Sequence, residues 1–284
     1  MWSVLRPHPQ QSETIINFMK IRKAVLPVAG VGTRFLPATK VVPKELLPIV
    51  DKPVIQYLVE EAVSSGIEEI IFVISKGKEL ILDHFSPKPE LEEFLQKKGK
   101  EDILKKIEPI HKMAKFSHVY QDFPHGDGHA ILQAEELVGN EPFLVLFGDD
   151  IVKGDVPSAK QLIDSFQGES IIAVEKVPES EISSYGVIDP GEQNGNLYEV
   201  KGLVEKPEAS KAPSDLGIIG KYICPPEIFD ALKNADTSKG GEIRLIDGFI
   251  ELSKSQKIWA FQIEGERFDT GKPSGLVSAN NAFL

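Results

Sequence analysis

The chain has 284 residues, 32 of them basic and 43 acidic, for a formal net charge of −11; 41% are hydrophobic and 26% charged. That length suffices for one large α/β domain or two small ones, and the acidic balance excludes general nucleic-acid binding, which needs a basic face. A single cysteine, Cys224, excludes a disulfide framework within the chain and a cysteine-built zinc site. With no apolar run near ~18 residues and no signal-like h-region, a cytoplasmic protein that avoids membranes is expected.

Residues 1–20, with Pro7, Pro9, Gln10 and Gln11, suit neither helix nor strand and read as an N-terminal tail, with Met19 the more natural start. Residues 24–29 are an apolar run that ends at Gly30 and Gly32, a buried strand entering a glycine loop. After Pro53, residues Val54, Ile55, Leu58, Val59, Ala62 and Val63 recur at helical spacing until Gly66. Residues 70–74 predict a second buried strand, and 78–115 mostly helix. Within the latter, 90–108 form a charged, solvated face. A strand end at 119–121, an amphipathic helix at 129–138 and a buried strand at 143–147 follow, the last ending at Gly148-Asp149-Asp150. The second half predicts short strands at 171–177, 186–188, 197–205 and 216–224, with Asn194-Gly195 a hairpin turn. Helices near 226–234 and 242–254 and a strand at 257–263 complete it.

Alternating strands and helices imply a doubly wound α/β sheet, whose ligands sit outside the carboxyl ends of the strands. Residues 30–34, Gln121 and Asp149 all fall at such ends, so one pocket could gather them. In Gly30-Val31-Gly32-Thr33-Arg34 the glycines let backbone N–H groups approach phosphate, and Arg34 and Lys44 add charge. The glycines alone also fit a plain tight turn. The dinucleotide fingerprint fails because Phe35 replaces its third glycine, and the P-loop fails because Gly77-Lys78 runs into Glu79. Asp149 is the leading candidate for an oxygen-seeking metal, although an aspartate there could also cap a turn. Glu205-Lys206 could be an ordinary surface pair.

The stretch AGVGTRFLPATKVVPKELLPIVDKPVIQY, residues 29–57, resembles the opening of the sugar-1-phosphate nucleotidylyltransferases. The resemblance runs from about residue 22 to 284. It continues through Gln121 with Gly126-Asp127-Gly128-His129-Ala130, then Gly148-Asp149-Asp150, Tyr185-Gly186-Val187 and Val204-Glu205-Lys206-Pro207. Gly240-Gly241-Glu242-Ile243 and Asp269-Thr270-Gly271 close it. FLPATK, PKE and LPIVDKP resemble the form found in the branch that uses UTP and glucose 1-phosphate.

The resemblance implies a Rossmann-like doubly wound mixed sheet of the nucleotide-diphospho-sugar transferase (GT-A-like) type. It implies one domain over 21–284, with a nucleotide part at about 21–155 and a sugar part at about 156–284. The implied reaction moves the uridylyl group of UTP to glucose 1-phosphate, giving UDP-glucose and pyrophosphate with Mg2+, in a homodimer or homotetramer. Residues 90–108 would then border a subunit contact. Arg34 and Lys44 would act on the triphosphate and Lys206 on the sugar phosphate. Ala29, Gly30, Gly32 and Thr33 would form the nucleotide loop, and Gln121 with Gly126 would read uracil, whose N3–H lies between two carbonyls that an amide can match. Gly186 and Glu205 would hold the sugar, and Asp149 and Asp269 the metal. His129 reads as a structural hydrogen bonder, and Asp150 is expected to face away from the pocket.

Asp127 departs from the pattern, which has leucine there. It would face solvent, ribose or a metal-bound water. A thymidylyltransferase is the rival within the class, although its form usually opens Gly-Gly and carries K-Q-[LM]-L-P, unlike Ala29-Gly30 and Lys44-Glu45 here. A non-catalytic nucleotide-sugar sensor is the rival outside it.

Overall fold

Apolar residues alternate strictly between two sides in the central strands. Leu26, Ile70 and Phe72 enter one core cluster, and Val25, Ile71 and Val73 the other. Both faces of the sheet are therefore covered, which is why these strands read as unbroken apolar runs. The computed structural model describes residues 20–236 and 241–284. Apart from Lys20, the expected tail lies outside the described residues, as does Gly240 of the Gly-Gly motif.

In the first half, β1 (Lys23–Pro27) leads through three short 3-10 turns to β2 (Pro48–Ile49) and β3 (Lys52–Pro53), then α1 (Val54–Ser64) and β4 (Glu69–Ile74). Three helices follow, α2 (Leu80–His84), α3 (Pro89–Lys97) and α4 (Glu101–Ile107), and then β5 (Lys115–Tyr120). Next come α5 (Asp127–Leu132), α6 (Glu135–Val138), β6 (Phe143–Leu146) and β7 (Asp150–Lys153). The second half contains α7 (Ser158–Ser165), β8 (Ser170–Lys176), β9 (Gly186–Asn194), β10 (Leu197–Glu205) and β11 (Leu216–Cys224). It ends with α8 (Ile228–Asn234), α9 (Leu245–Leu252), β12 (Ile258–Gln262), β13 (Glu266–Asp269) and α10 (Pro273–Phe283).

Nine strands form one sheet in the order β5-β4-β1-β6-β11-β8-β12-β10-β9. The first four are parallel; β11 runs antiparallel to both β6 and β8, and β10 and β9 continue antiparallel at the far edge. The sheet is thus mixed, as expected, and draws strands from both halves of the chain.

Two local readings need correction, and one ladder is added to them. The helix expected at 129–138 starts earlier and breaks. The Gln133 and Ala134 amides bond to Ala130 and Ile131, three residues back, and this tighter turn separates α5 from α6. The helical stretch at 78–115 is cut by Pro89 at the head of α3 and by Gly99, whose φ of +65° breaks the chain before α4. The ladder of β7 with β13 was not foreseen, because four-residue strands carry too little pattern. It sets Asp269 opposite Asp150.

Candidate active site

The loop after β1 rests on a buried ion pair. Lys78 Nζ donates to both Glu45 carboxylate oxygens, at 3.0 and 2.9 Å, and to the Val28 carbonyl at 2.6 Å. Burial pushes the Glu45 carboxyl up and the Lys78 amine down, against the attraction between them. Gly148 packs directly on this pair, since a Cβ there would lie 2.7 Å from Val28 and 3.0 Å from the Glu45 side chain. Above it, Gly32 adopts φ +70° and lies against Lys44; a Cβ would sit 3.3 Å from that of Lys44. Thr39 Oγ1 donates to the Gly32 carbonyl at 2.7 Å and fixes the turn.

A cavity of about 290 Å³ opens here, lined among others by Ala29, Gly30, Lys44, Gln121, Gly126 and Asp149. Gly32 and Thr33 shape the loop but line neither this cavity nor the next. Gln121 is buried at the end of β5, and its amide nitrogen donates to the Gly126 carbonyl and to His129 Nδ1, both at 3.0 Å. Burial and the neighbouring His125 hold the His129 pKa low, so the ring is neutral near pH 7. The donor of Gln121 is therefore engaged, and its carbonyl oxygen is the atom left to meet a ligand. Sequence reasoning credited both ends of the amide; only the acceptor fits. Gly126, at φ +102°, has no room for a Cβ beneath the Ile243 carbonyl.

Asp127 is exposed at the rim of this cavity, yet one of its oxygens is anchored. Its Oδ1 accepts the Gly128 amide at 2.7 Å and the Leu245 amide at 2.8 Å, tying the base-side loop to the head of α9.

Asp149 lies just beyond β6 and accepts a short hydrogen bond from Lys44. Burial works to lower the Lys44 pKa, but Asp149 and Glu45 outweigh it and hold the ammonium above its ordinary value. β13 brings Asp269 to the same place. The two carboxylates converge on Gly271, where a Cβ would lie 2.5 Å from Asp149 Oδ2 and 3.0 Å from Asp269 Oδ1. Only glycine leaves that space open. Burial would raise the Asp269 pKa, but Lys272, 2.9 Å away, overrides it and lowers the carboxyl. Arg34 reaches over from the glycine loop, with Nη1 3.4 Å from the Gly271 carbonyl. Among the described residues no three His, Cys, Asp or Glu side chains gather as a metal cluster. Two carboxylates around a glycine gap suit a hard divalent cation that takes its other oxygens from phosphates and water.

A second cavity of about 470 Å³ adjoins the first and is lined by Arg34, Gly186, Glu205, Lys206, Arg267 and Asp269, among others. Lys206 adopts φ +47°, rare for a side-chain-bearing residue, and its ammonium lies 3.3 Å from Glu205. Asp150, expected to face away from the pocket, instead belongs to the wall of this cavity, although it turns away from Lys44. It accepts the Gly220 amide and a short bond from Arg267, which also binds Glu175 at 2.8 Å and the Tyr185 hydroxyl at 3.1 Å. Arg267 and Lys272 were missed in the sequence. The signal for Lys272 was its spacing, one turn after Asp269; Arg267 gave none.

The two cavities thus bring together every expected site residue except Gly32 and Thr33. The sequence profile described as Nucleotidyl transferase matches residues 23–284. The chain belongs to the nucleotidyl transferase family. It is 50% identical over 260 residues to a UTP–glucose-1-phosphate uridylyltransferase of Staphylococcus epidermidis, covering 91% of this chain and 90% of the relative. A Bacillus subtilis protein of the same description is 48% identical over 266 residues, with 93% and 91% covered. A solved UDP-glucose pyrophosphorylase complexed with UDP-glucose superimposes with a TM-score of 0.85 at 42% identity, covering 93% of this chain and 98% of that one. In this nucleotidyl transferase, Gly30 and Asp149 line the first cavity, and Asp269 and Lys206 line the second.

Proposed function

We propose that the two cavities divide the work of a UTP–glucose-1-phosphate uridylyltransferase, UTP in the first and glucose 1-phosphate in the second. The enzyme joins UTP and glucose 1-phosphate into UDP-glucose and pyrophosphate. The observation that carries the division is the convergence of Asp149 and Asp269 on Gly271 between the cavities.

In this reading the Gln121 carbonyl accepts the uracil N3–H, and backbone groups of Ala29 and Gly30 lie along the nucleotide. Arg34 and Lys44 bracket the triphosphate. Glu205 and Gly186 hold the hexose, and Lys206 orients its phosphate. That phosphate is already mostly a dianion at neutral pH, because its second pKa is about 6, so no general base is needed. Its oxygen attacks the α-phosphorus of UTP; the bond from that phosphorus to the bridging oxygen of the β-phosphate breaks, and pyrophosphate leaves. The side chains align the two phosphates and offset their repulsion in a partly dry site. Asp149 and Asp269 would hold Mg2+, which supplies charge neutralisation of the phosphate oxygens.

The reading includes a cytoplasmic location, and no helix among the described residues is long and apolar enough to cross a membrane. It also includes a homodimer or homotetramer, supported by the exposed Leu91, Phe94 and Ile103 on α3 and α4; light scattering tests this. Pyrophosphate release measured with UTP, dTTP, ATP and GTP, each paired with glucose or galactose 1-phosphate, tests the reaction. The expected outcome is turnover with UTP and glucose 1-phosphate far above every other pair. Preference for dTTP would overturn the base assignment.

A further inference from the structure

We propose that Asp127 is a specificity-determining contact, its Oδ2 accepting a hydroxyl of the hexose opposite Glu205. The proposal rests on the reading of the second cavity as the sugar-phosphate site. Asp127 stands where the family pattern has leucine, so the fold of this loop does not itself require a carboxylate. The residue lines both cavities and is exposed to them.

Its Oδ1 is held by two backbone amides, of Gly128 and Leu245. That double anchor holds Oδ1 in place, so the side chain cannot swing away. Among the described residues Oδ2 accepts no hydrogen bond. A chain that keeps a carboxylate in such a place, rather than leucine, gains if a ligand supplies the missing donor. The groups it interacts with, Glu205 and Arg244, belong to the second cavity, as does its anchor Leu245. This favours a hexose hydroxyl over the ribose. Neutral hydroxyls donate to a carboxylate without adding charge, and such charge-assisted bonds are among the stronger ones.

The test compares wild type with Asp127→Leu and Asp127→Asn on glucose 1-phosphate and its 2-, 3-, 4- and 6-deoxy analogues, and on UTP and 2′-deoxy-UTP. Asparagine keeps an acceptor for the two amides, and leucine is the family's own residue. Thermal melts establish that both variants fold. Asp127→Leu should lower kcat/KM for glucose 1-phosphate about 10- to 100-fold, with KM for UTP little changed. For one deoxy analogue, wild type and Asp127→Leu should perform alike, because the lost hydroxyl and the lost carboxylate are the same interaction. Equal losses on glucose 1-phosphate and all four analogues would show that Asp127 only pins Leu245. A loss carried by KM for UTP that disappears with 2′-deoxy-UTP would assign the contact to ribose. Full activity of Asp127→Leu would also overturn the proposal. Glu205→Gln is the control. If it leaves KM for glucose 1-phosphate unchanged, the reading of the cavity fails and the proposal falls with it. If it is impaired while Asp127→Leu is not, only the Asp127 contact is refuted.

Discussion

The amide nitrogen of Gln121 donates to Nδ1 of His129 at 3.0 Å, so a histidine that touches no substrate in the proposed reaction decides which end of Gln121 faces the base cavity. The bond requires Nδ1 to be unprotonated. Burial and His125 hold the His129 pKa below its ordinary value of 6.5. Above pH 6.5 the ring is neutral and the bond is intact. As pH falls through the lowered pKa, protonation puts an N–H against the Gln121 amide and turns it away. KM for UTP should therefore rise on the acid side of pH 6.5, while KM for glucose 1-phosphate moves less. His129→Asn should flatten the UTP profile; an unchanged profile would remove His129 from base recognition.

The paired aspartates separate function from stability. Asp149 is partly exposed and aimed at Lys44, whereas Asp150 is buried with Arg267 and the Gly220 amide. Asp149→Asn should abolish turnover with little change in melting temperature, and uridine should still bind. Asp150→Asn should destabilise the fold by about 1–3 kcal/mol, as expected when a buried charged hydrogen bond is weakened. Calorimetric melts and turnover on the two variants check this. Loss of turnover in a fully stable Asp150→Asn would exchange the two roles.

Removing charge from the triphosphate side should cost rate. Arg34→Ala or Lys44→Ala should lower kcat by ~10²-fold or more, the scale seen when a preorganised electrostatic group is deleted. Arg34 is exposed on its loop and should leave the melting temperature unchanged. Wild-type rates in either variant would exclude that residue from the mechanism.

Lys221 is fully buried in β11, and its ammonium meets Glu61 of α1 at 2.7 Å. The other Glu61 oxygen accepts the Ser158 hydroxyl at 2.6 Å and the Ala159 amide at 2.8 Å, so one carboxylate joins α1, the sheet and α7. Lys221→Met should destabilise by about 3–5 kcal/mol, because it leaves a buried charge uncompensated. Lys221→Met with Glu61→Gln should recover part of that loss. Additive losses in denaturant titrations would show that the pair contributes no coupling.

Much of the molecule was legible in one dimension. The central strands announce themselves because both faces of the sheet are covered and every residue must be apolar. The glycine loop, Gln121 and Asp149 could be placed because they follow closely on those strands, at their carboxyl ends, and Lys44 by its charge behind the loop. Lys206 and Asp269 were found only through the family's motif, since a Glu-Lys pair and an Asp-x-Gly turn have ordinary surface meanings.

Tertiary structure decided whatever depends on residues far apart in the chain. The ladder of β7 with β13 sets Asp269 opposite Asp150, more than a hundred positions away, and Asp269 then converges with Asp149 on Gly271. It also buries Arg267 against Asp150, which no local pattern foretells. The anchor from Asp127 to Leu245 spans a similar distance. Hydrophobic periodicity is local, so the sequence by itself determined the central strands, most of the helices and the chemical types at their ends. A hydrogen bond or ion pair between distant segments has no periodicity to reveal it. Which end of Gln121 is free, which of two adjacent aspartates meets Lys44, and what Asp127 holds were settled only when the chain closed on itself.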